Sequence, residues 1–138
     1  MSDAMEPSPT NTVDLSRVES RRKPLFSASA ATSVLMLVMV GLGIGIATGS
    51  HGLRAAHEGT GYLVALVGII AAVLAFRHGR ARGNMGTFAH AASIPVLAII
   101  QTGLGEAGLQ TIHITLGVLI ALAAFALTTL TARRTPGA

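Results

Sequence analysis

The sequence predicts an all-α integral membrane protein, a four-helix bundle built from two repeated transmembrane hairpins. Three observations support this fold class. Of the 138 residues, 51% are hydrophobic and only 12% are charged, which is too apolar for a water-soluble domain of this length. The apolar residues are concentrated in four blocks. The fourth block also repeats features of the second at a fixed interval along the chain.

The N-terminal segment, residues 1–24, is expected to be a disordered cytoplasmic tail. It is rich in Ser, Pro, Asp and Glu, has no apolar periodicity and ends in Arg21-Arg22-Lys23. The four-helix transmembrane domain is expected over residues 25–134. A signal-peptide interpretation of the first apolar block is disfavoured, because the small residues Ser27-Ala-Ser-Ala precede that block, whereas a cleavage site would follow it.

Each apolar block is long enough to cross a hydrocarbon core of about 30 Å. In the first block, Gly41, Gly45 and Gly49 share one face, which favours close packing against another helix. In the third block, Pro95 is expected to kink the helix because its ring removes one backbone hydrogen bond. The expected spans are Phe26 to about Thr48, about His57 to Phe76, about Thr87 to Leu104, and about Thr111 to Ala132.

The basic residues predict the orientation in the bilayer. Nine of the ten lie in the tail, the middle loop and the C-terminus, which four spans place on one side of the membrane. The positive-inside rule assigns that side to the cytoplasm, so both termini of this multi-pass protein are expected inside the cell's inner (plasma) membrane. The tenth, Arg54, falls at the outer face. The net charge of +4 is thereby explained by orientation, and we expect no binding to nucleic acid.

Two histidines, His57 and His113, occupy equivalent places at the heads of the second and fourth blocks. Each is followed four residues later by a glycine and twenty residues later by an arginine, and all these features recur at an interval of 56 residues. A duplication of this kind relates the hairpins by a pseudo-two-fold axis along the membrane normal. The histidines then lie at equal depth and face each other if both point to the axis. The other repeated residues are Gly61, Gly117, Arg77 and Arg133.

This pair of histidines predicts a haem site near the outer leaflet. The chain has no cysteine, so thiolate-ligated haem, iron–sulfur clusters and covalent haem attachment are excluded. Two opposed neutral imidazoles supply both axial ligands of one b-type haem, and Gly61 and Gly117, one turn deeper, would leave room for the macrocycle. The alternative is that each histidine caps its helix or bonds a loop carbonyl. Zinc is less favoured, because it would require further ligands in a tetrahedral set.

The order of these features resembles one four-helix half of the haem A synthase family, and also small uncharacterised four-helix bacterial membrane proteins with the same histidine pattern. The likeness covers about residues 30–133 and rests on His57, Gln101, His113 and the nearby glycines. It implies that the two histidines ligate haem at the outer side. The family has a glutamate three residues before the first histidine and an arginine just after it, and those positions here hold Arg54 and Glu58. The family enzyme also has two such halves, so only haem ligation is carried over from the resemblance.

The remaining polar residues each leave two interpretations open. Arg54 either binds a haem propionate or pairs with Glu58 at the i, i+4 spacing. His51 is either solvated in the outer loop or takes part in proton exchange or external binding. His90 either makes an interhelical hydrogen bond or joins His78, among the arginines of the middle loop, in a second, inner haem site.

Two classes of function follow from these residues. The first is a b-type haem protein that transfers electrons or handles haem, because two histidine ligands leave no open position for oxygen. The second is a cofactor-free accessory subunit whose glycine faces pack against a partner. The glycines of the first span favour a homodimer or a contact with another membrane protein. The sequence identifies no redox partner.

Overall fold

A computed structural model describes the backbone of residues 10–133 and the side chains of residues 19–133. Four long α-helices account for nearly all of this range, a short 3-10 helix at His51–Leu53 precedes the second, and the described residues contain no strand. The all-α prediction is confirmed. The helices are α1 (Thr10–Ala47), α2 (Arg54–Arg82), α3 (Gly86–Glu106) and α4 (Gln110–Ala132).

All four helices are long and apolar enough to cross a membrane. Large apolar side chains point outward along each of them, and many of these side chains are about half exposed. An outer surface of this kind is suited to lipid, because lipid tails solvate apolar side chains while each helix satisfies its own backbone hydrogen bonds. The chain is therefore a multi-pass membrane protein. Representative exposed residues are Leu37, Leu66, Ile99 and Leu122.

The helices pack as a square. Helix α1 contacts α2 and α4, and α3 contacts the same two neighbours, so α2 and α4 face each other across the diagonal. Short connections join consecutive antiparallel helices: residues 48–53, 83–85 and 107–109. We call the end of the bundle near the second connection the arginine end (residues 19–25, 77–87 and 130–133) and the opposite end the histidine end (residues 39–61 and 101–117).

The tightly packed core occupies the half of the bundle nearer the arginine end. Many of its side chains are small, so the helices approach closely, as membrane helices do. Ser33 and Thr128 share a hydrogen bond of 2.8 Å between α1 and α4. None of the described residues of the histidine end is fully buried. Core positions include Ser29, Thr32, Ser33 and Met36 in α1, Val64, Ala71 and Ala75 in α2, Ala91, Ile94 and Ala98 in α3, and Ile120, Ala124 and Leu127 in α4.

Helix α1 starts earlier than expected. Residues 10–24 were expected to belong to a disordered tail, yet they are helical, and Pro24 lies within α1. Arg22 bonds Glu19 one turn away and donates to the backbone oxygen of Thr131, and Arg21 donates to the backbone oxygen of Arg77. These bonds tie the extension to α4 and α2, which composition alone does not reveal. Residues 1–9 lie outside the described range.

Helix α2 also continues further than expected, to Arg82. The segment from Arg77, expected to be a loop, is its last part, and the helix ends at Gly83, whose φ of +67° is the left-handed conformation that favours glycine. His78 is consequently a helical residue and is only 5% exposed. Pro95 lies inside α3 against Gly68, where an added Cβ would be 3.3 Å from the proline Cδ.

The glycine face of the first span is not used for close helix packing within the described residues. A Cβ at Gly41 would meet no atom within 4 Å, and one at Gly45 would meet Leu53 of the adjoining connection at 2.7 Å. Gly49 lies beyond the end of α1 with a φ of +106°. The expected contact through these glycines is therefore wrong for packing inside the bundle.

Candidate site at the histidine pair

His57 and His113 face each other across the bundle. Their ring centroids are 6.1 Å apart and their planes are inclined at 51°. Each histidine lies near the start of its helix, α2 or α4, and is half-buried. The structure thus brings together the two residues that the repeat singles out, on diagonally opposed helices at the histidine end.

Two hydrogen bonds fix His113. Its Nδ1 lies 2.9 Å from the backbone oxygen of Gln101, and because a carbonyl only accepts, Nδ1 carries the proton and donates. The neutral ring therefore has its lone pair on Nε2. The Gln101 side-chain nitrogen donates in return to the backbone oxygen of His113. A backbone carbonyl that holds one imidazole nitrogen while the other keeps its lone pair is the usual arrangement of a metal-ligating histidine.

Gln101 also brings a polar atom that the described residues do not satisfy. Its side-chain oxygen, Oε1, is buried and has no hydrogen-bond partner among them. A buried acceptor without a donor costs about 1–3 kcal/mol. The site therefore has an acceptor available beside His113 for a donor group of a ligand.

His57 is held mainly by packing. The backbone of Met39 faces its ring, but its buried Nδ1 makes no hydrogen bond of good geometry with the described residues. Gly43 lies alongside, where an added Cβ would be 3.6 Å from the His57 Cε1. His57 thus lacks the pair of hydrogen bonds that locks His113.

The space beside Gly61 is occupied by the Met39 side chain of α1, and the space beside Gly117 is occupied by the Gln101 side chain of α3. A Cβ at Gly61 would lie 3.6 Å from the Met39 methyl group, and one at Gly117 would lie 2.9 Å from the Gln101 side-chain nitrogen. The room expected for a macrocycle is accordingly taken up in part by Met39 and Gln101. Both are long side chains with several rotatable bonds.

Three residues of the site were missed by sequence reasoning: Met39, Gly43 and Gly105. A Cβ at Gly105 would lie 3.2 Å from the His113 ring, just as Gly43 lies beside His57. A second repeat in the sequence could have indicated them, because Met39 and Gly43 are four residues apart, as are Gln101 and Gly105. This repeat has an interval of 62 residues, so a comparison at the histidine interval of 56 does not align the two pairs.

Arg54 is exposed at the start of α2, and no ion pair joins it to Glu58 within the described chain. His51 is exposed in the 3-10 helix. His90 donates from Nε2 to the backbone oxygen of Ala123 at 2.9 Å, which confirms the expected interhelical hydrogen bond. A second haem at His78 and His90 stays a prediction.

Among residues 19–133, no group of three or more His, Cys, Asp or Glu side chains is placed to hold a metal ion. A tetrahedral, all-protein metal site needs such a group. The histidine pair by itself suits a metal whose remaining ligands come from elsewhere, as the four nitrogens of a porphyrin do.

No family model, no curated protein and no solved structure matches this chain. The fold and the site define a class, a multi-pass membrane protein with two opposed histidines at one end of a four-helix bundle.

Proposed function

We propose that this protein binds one b-type haem between His57 and His113 and uses it in electron transfer or haem handling. The observation that carries the proposal is the opposition of the two rings, with centroids 6.1 Å apart on diagonal helices. Metal–imidazole bonds of about 2.0–2.1 Å place the ring centroids of two opposed ligands roughly 6 Å apart. The observed spacing fits two axial ligands of one iron.

The surroundings of the pair fit the same group. His113 has its lone pair on Nε2 because its Nδ1 donates to Gln101. Gly43 and Gly105 keep the helix surfaces beside the two rings free of side chains. Met39 and Gln101 would have to rotate aside where they occupy the space next to Gly61 and Gly117. Arg54, exposed at the same end, has a charge suited to a propionate.

We also propose that the two hairpins are repeats and that this repeat is the origin of the histidine pair. The contacts support this origin, because Gly43 lies beside His57 as Gly105 lies beside His113. Burial supports it too, since four of the five buried positions of α1 recur in α3 with residue numbers larger by 62. Four of the five buried positions of α2 whose counterparts are described recur in α4 with numbers larger by 56. The first connection, 48–53, is longer than the third, 107–109, which is consistent with the larger interval for the first helices. Buried pairs include Ser29 with Ala91, Thr32 with Ile94, Met36 with Ala98, Val64 with Ile120 and Ala71 with Leu127.

A bound haem would supply a one-electron redox centre. His57 and His113 would hold it, and the Gln101 carbonyl would keep the His113 ring in one tautomer. A centre of this kind would suit electron transfer or haem handling near the outer leaflet more than oxygen chemistry.

The haem proposal is tested by absorption spectroscopy of detergent-purified protein from haem-replete cells. We expect a low-spin b-type spectrum that His57→Ala and His113→Ala each abolish. His51→Ala is the matched control, an exposed histidine at the same end, and is expected to leave the spectrum intact. His78→Ala is expected to retain it as well, and its loss would point to the inner pair. A folded, colourless wild-type protein after haem supplementation would overturn the proposal in favour of the cofactor-free accessory subunit.

We also propose that both termini lie in the cytoplasm. The support is the charge distribution, since the arginine end carries seven of the eight Lys and Arg side chains among residues 19–133 and Arg54 lies at the histidine end. Reporter fusions at the N- and C-termini test this topology. We expect both fusions to report a cytoplasmic location, and a periplasmic signal from both would invert the proposed orientation.

A further inference from the structure

A cleft lies at the arginine end, which is the end of the bundle opposite the histidine pair. All four helices contribute to it: Arg22 comes from α1, His78 and Arg82 from α2, Thr87 from α3, and Arg133 from the end of α4. Leu25, which is 1% exposed, lies at its apolar side, and His78 is 5% exposed. Three arginines and a histidine therefore line this cleft at one end of the apolar helices.

The charge in this cleft is only partly balanced by the described residues. Their acidic side chains are Glu19, Glu58 and Glu106, and the last two lie at the histidine end. Glu19 accepts hydrogen bonds from Arg22, which is its ion-pair partner at 2.8 Å. Within the described range, Arg82 and Arg133 therefore have no carboxylate facing them.

The positive potential of this cleft comes from its arginines. Thr87, in the first turn of α3, also lines the cleft, but α2 and α4 end there and the Gly86 N–H already donates to the Asn84 side chain, so the helix ends contribute no net positive charge. Guanidinium groups bind phosphate in a bidentate manner, so the arginines favour this ligand chemistry.

We propose that this cleft binds a phosphate group, supplied by the headgroup of an anionic phospholipid. The position supports the lipid as the source, because the cleft lies at the ends of the apolar spans, where basic pockets between transmembrane helices bind anionic headgroups. The site is separate from the histidine pair and does not depend on bound haem.

The experiment is native mass spectrometry of the full chain in detergent, titrated separately with phosphatidylglycerol, phosphatidylcholine and inorganic phosphate. We expect phosphatidylglycerol to bind more tightly than phosphatidylcholine, and Arg82→Gln and Arg133→Gln each to weaken it about tenfold, since a hydrogen bond to a charged group is lost. Arg80→Gln is the control, an exposed arginine of the same helix that lies over the Phe76 ring and does not line the cleft. It is expected to leave binding unchanged.

Three outcomes would overturn the proposal. Equal weakening by Arg80→Gln would mean that surface charge attracts the lipid without a defined site. Equal affinity for phosphatidylcholine would remove the preference for an anionic headgroup. Inorganic phosphate that binds as tightly as phosphatidylglycerol would overturn the lipid as the source and assign the cleft to a soluble phosphate compound. Circular dichroism of each variant shows that a lost lipid is not the result of a lost fold.

Discussion

In the α3–α4 hairpin, Gln101 and His113 hold each other through two hydrogen bonds, and the glutamine amide lies against Gly117. In the α1–α2 hairpin, Met39 takes the corresponding place against Gly61, and its thioether has no donor to offer. Beside the rings, a Cβ at Gly105 would be 3.2 Å from His113, whereas one at Gly43 would be 3.6 Å from His57. The α3–α4 hairpin therefore contacts His113 more closely than the α1–α2 hairpin contacts His57.

His57 and His113 therefore occupy equivalent positions of the sequence repeat but differ in how rigidly their rings are held. His113 has a fixed tautomer and a fixed ring orientation, as a preorganised ligand needs. His57 is positioned by contacts of ordinary van der Waals length, so its ring is able to adjust when a ligand enters. We expect His113 to be the anchoring ligand of the proposed haem and His57 the adaptable one.

The largest expected effect separates Gly105→Ala from Gly43→Ala. An added methyl at residue 105 overlaps a ring tied to Gln101, and overpacking of this kind costs about 1–3 kcal/mol. At residue 43 the methyl makes an ordinary contact, and the helix gains up to about 1 kcal/mol from alanine. Thermal unfolding in detergent measures both. Equal destabilisation by the two variants would break the comparison.

A smaller effect is expected when the two long side chains are exchanged for leucine. Gln101→Leu removes the bond to the His113 carbonyl, which contributes about 1 kcal/mol in membranes, and it also removes the unpaired Oε1, so the two effects on stability oppose each other. Met39→Leu keeps a similar volume and makes no polar change, so its effect on stability is also expected to be small. Haem retention after dialysis is therefore the main readout, and it is expected to fall for Gln101→Leu only. A greater loss in Met39→Leu would reverse the assignment of the anchoring histidine.

Much of the fold was accessible from the sequence because it depends on apolar runs and charge. Four helices follow from four blocks without interrupting arginines or lysines, and short turns at Gly83 and Gly108 follow from residues that adopt positive φ. The helix limits were harder to predict. The part of α1 over residues 19–24 is tied to other helices by bonds from Arg21 and Arg22, and such long-range contacts leave no local pattern.

The site was predictable only in part. The repeat in the sequence pointed to His57 and His113, and Gln101 was named from the resemblance. The partners Met39, Gly43 and Gly105 depend on how the helices are set against one another, because Met39 and His57 are six residues further apart in the chain than Gln101 and His113. Three of these residues lie in the longer first connection, and three lie at the longer end of α1. The periodicity of residues along one helix does not reveal how far a neighbouring helix is displaced along it. Of the two interpretations of Arg54, the pairing with Glu58 is not present among the described residues, and the contact with a haem propionate stays a prediction.

The smallest expected effect on the fold concerns the outward-facing glycines of the two hairpins. Gly41 in α1 and Gly103 in α3 both face open space, since a Cβ added at either position meets no atom within 4 Å. We expect Gly41→Leu and Gly103→Leu to unfold at or slightly above the wild-type temperature, because leucine favours a helix more than glycine does. Gly45→Leu is not a suitable test of assembly, because a Cβ there already meets Leu53 at 2.7 Å.

The homodimer expected from the glycine face of α1 requires close backbone approach, which a leucine at residue 41 prevents. Mass photometry in nanodiscs is then expected to show a dimer for the wild type and for Gly103→Leu, and a monomer for Gly41→Leu. A wild type that is already monomeric, or equal masses for the two variants, would mean that this face contacts only lipid.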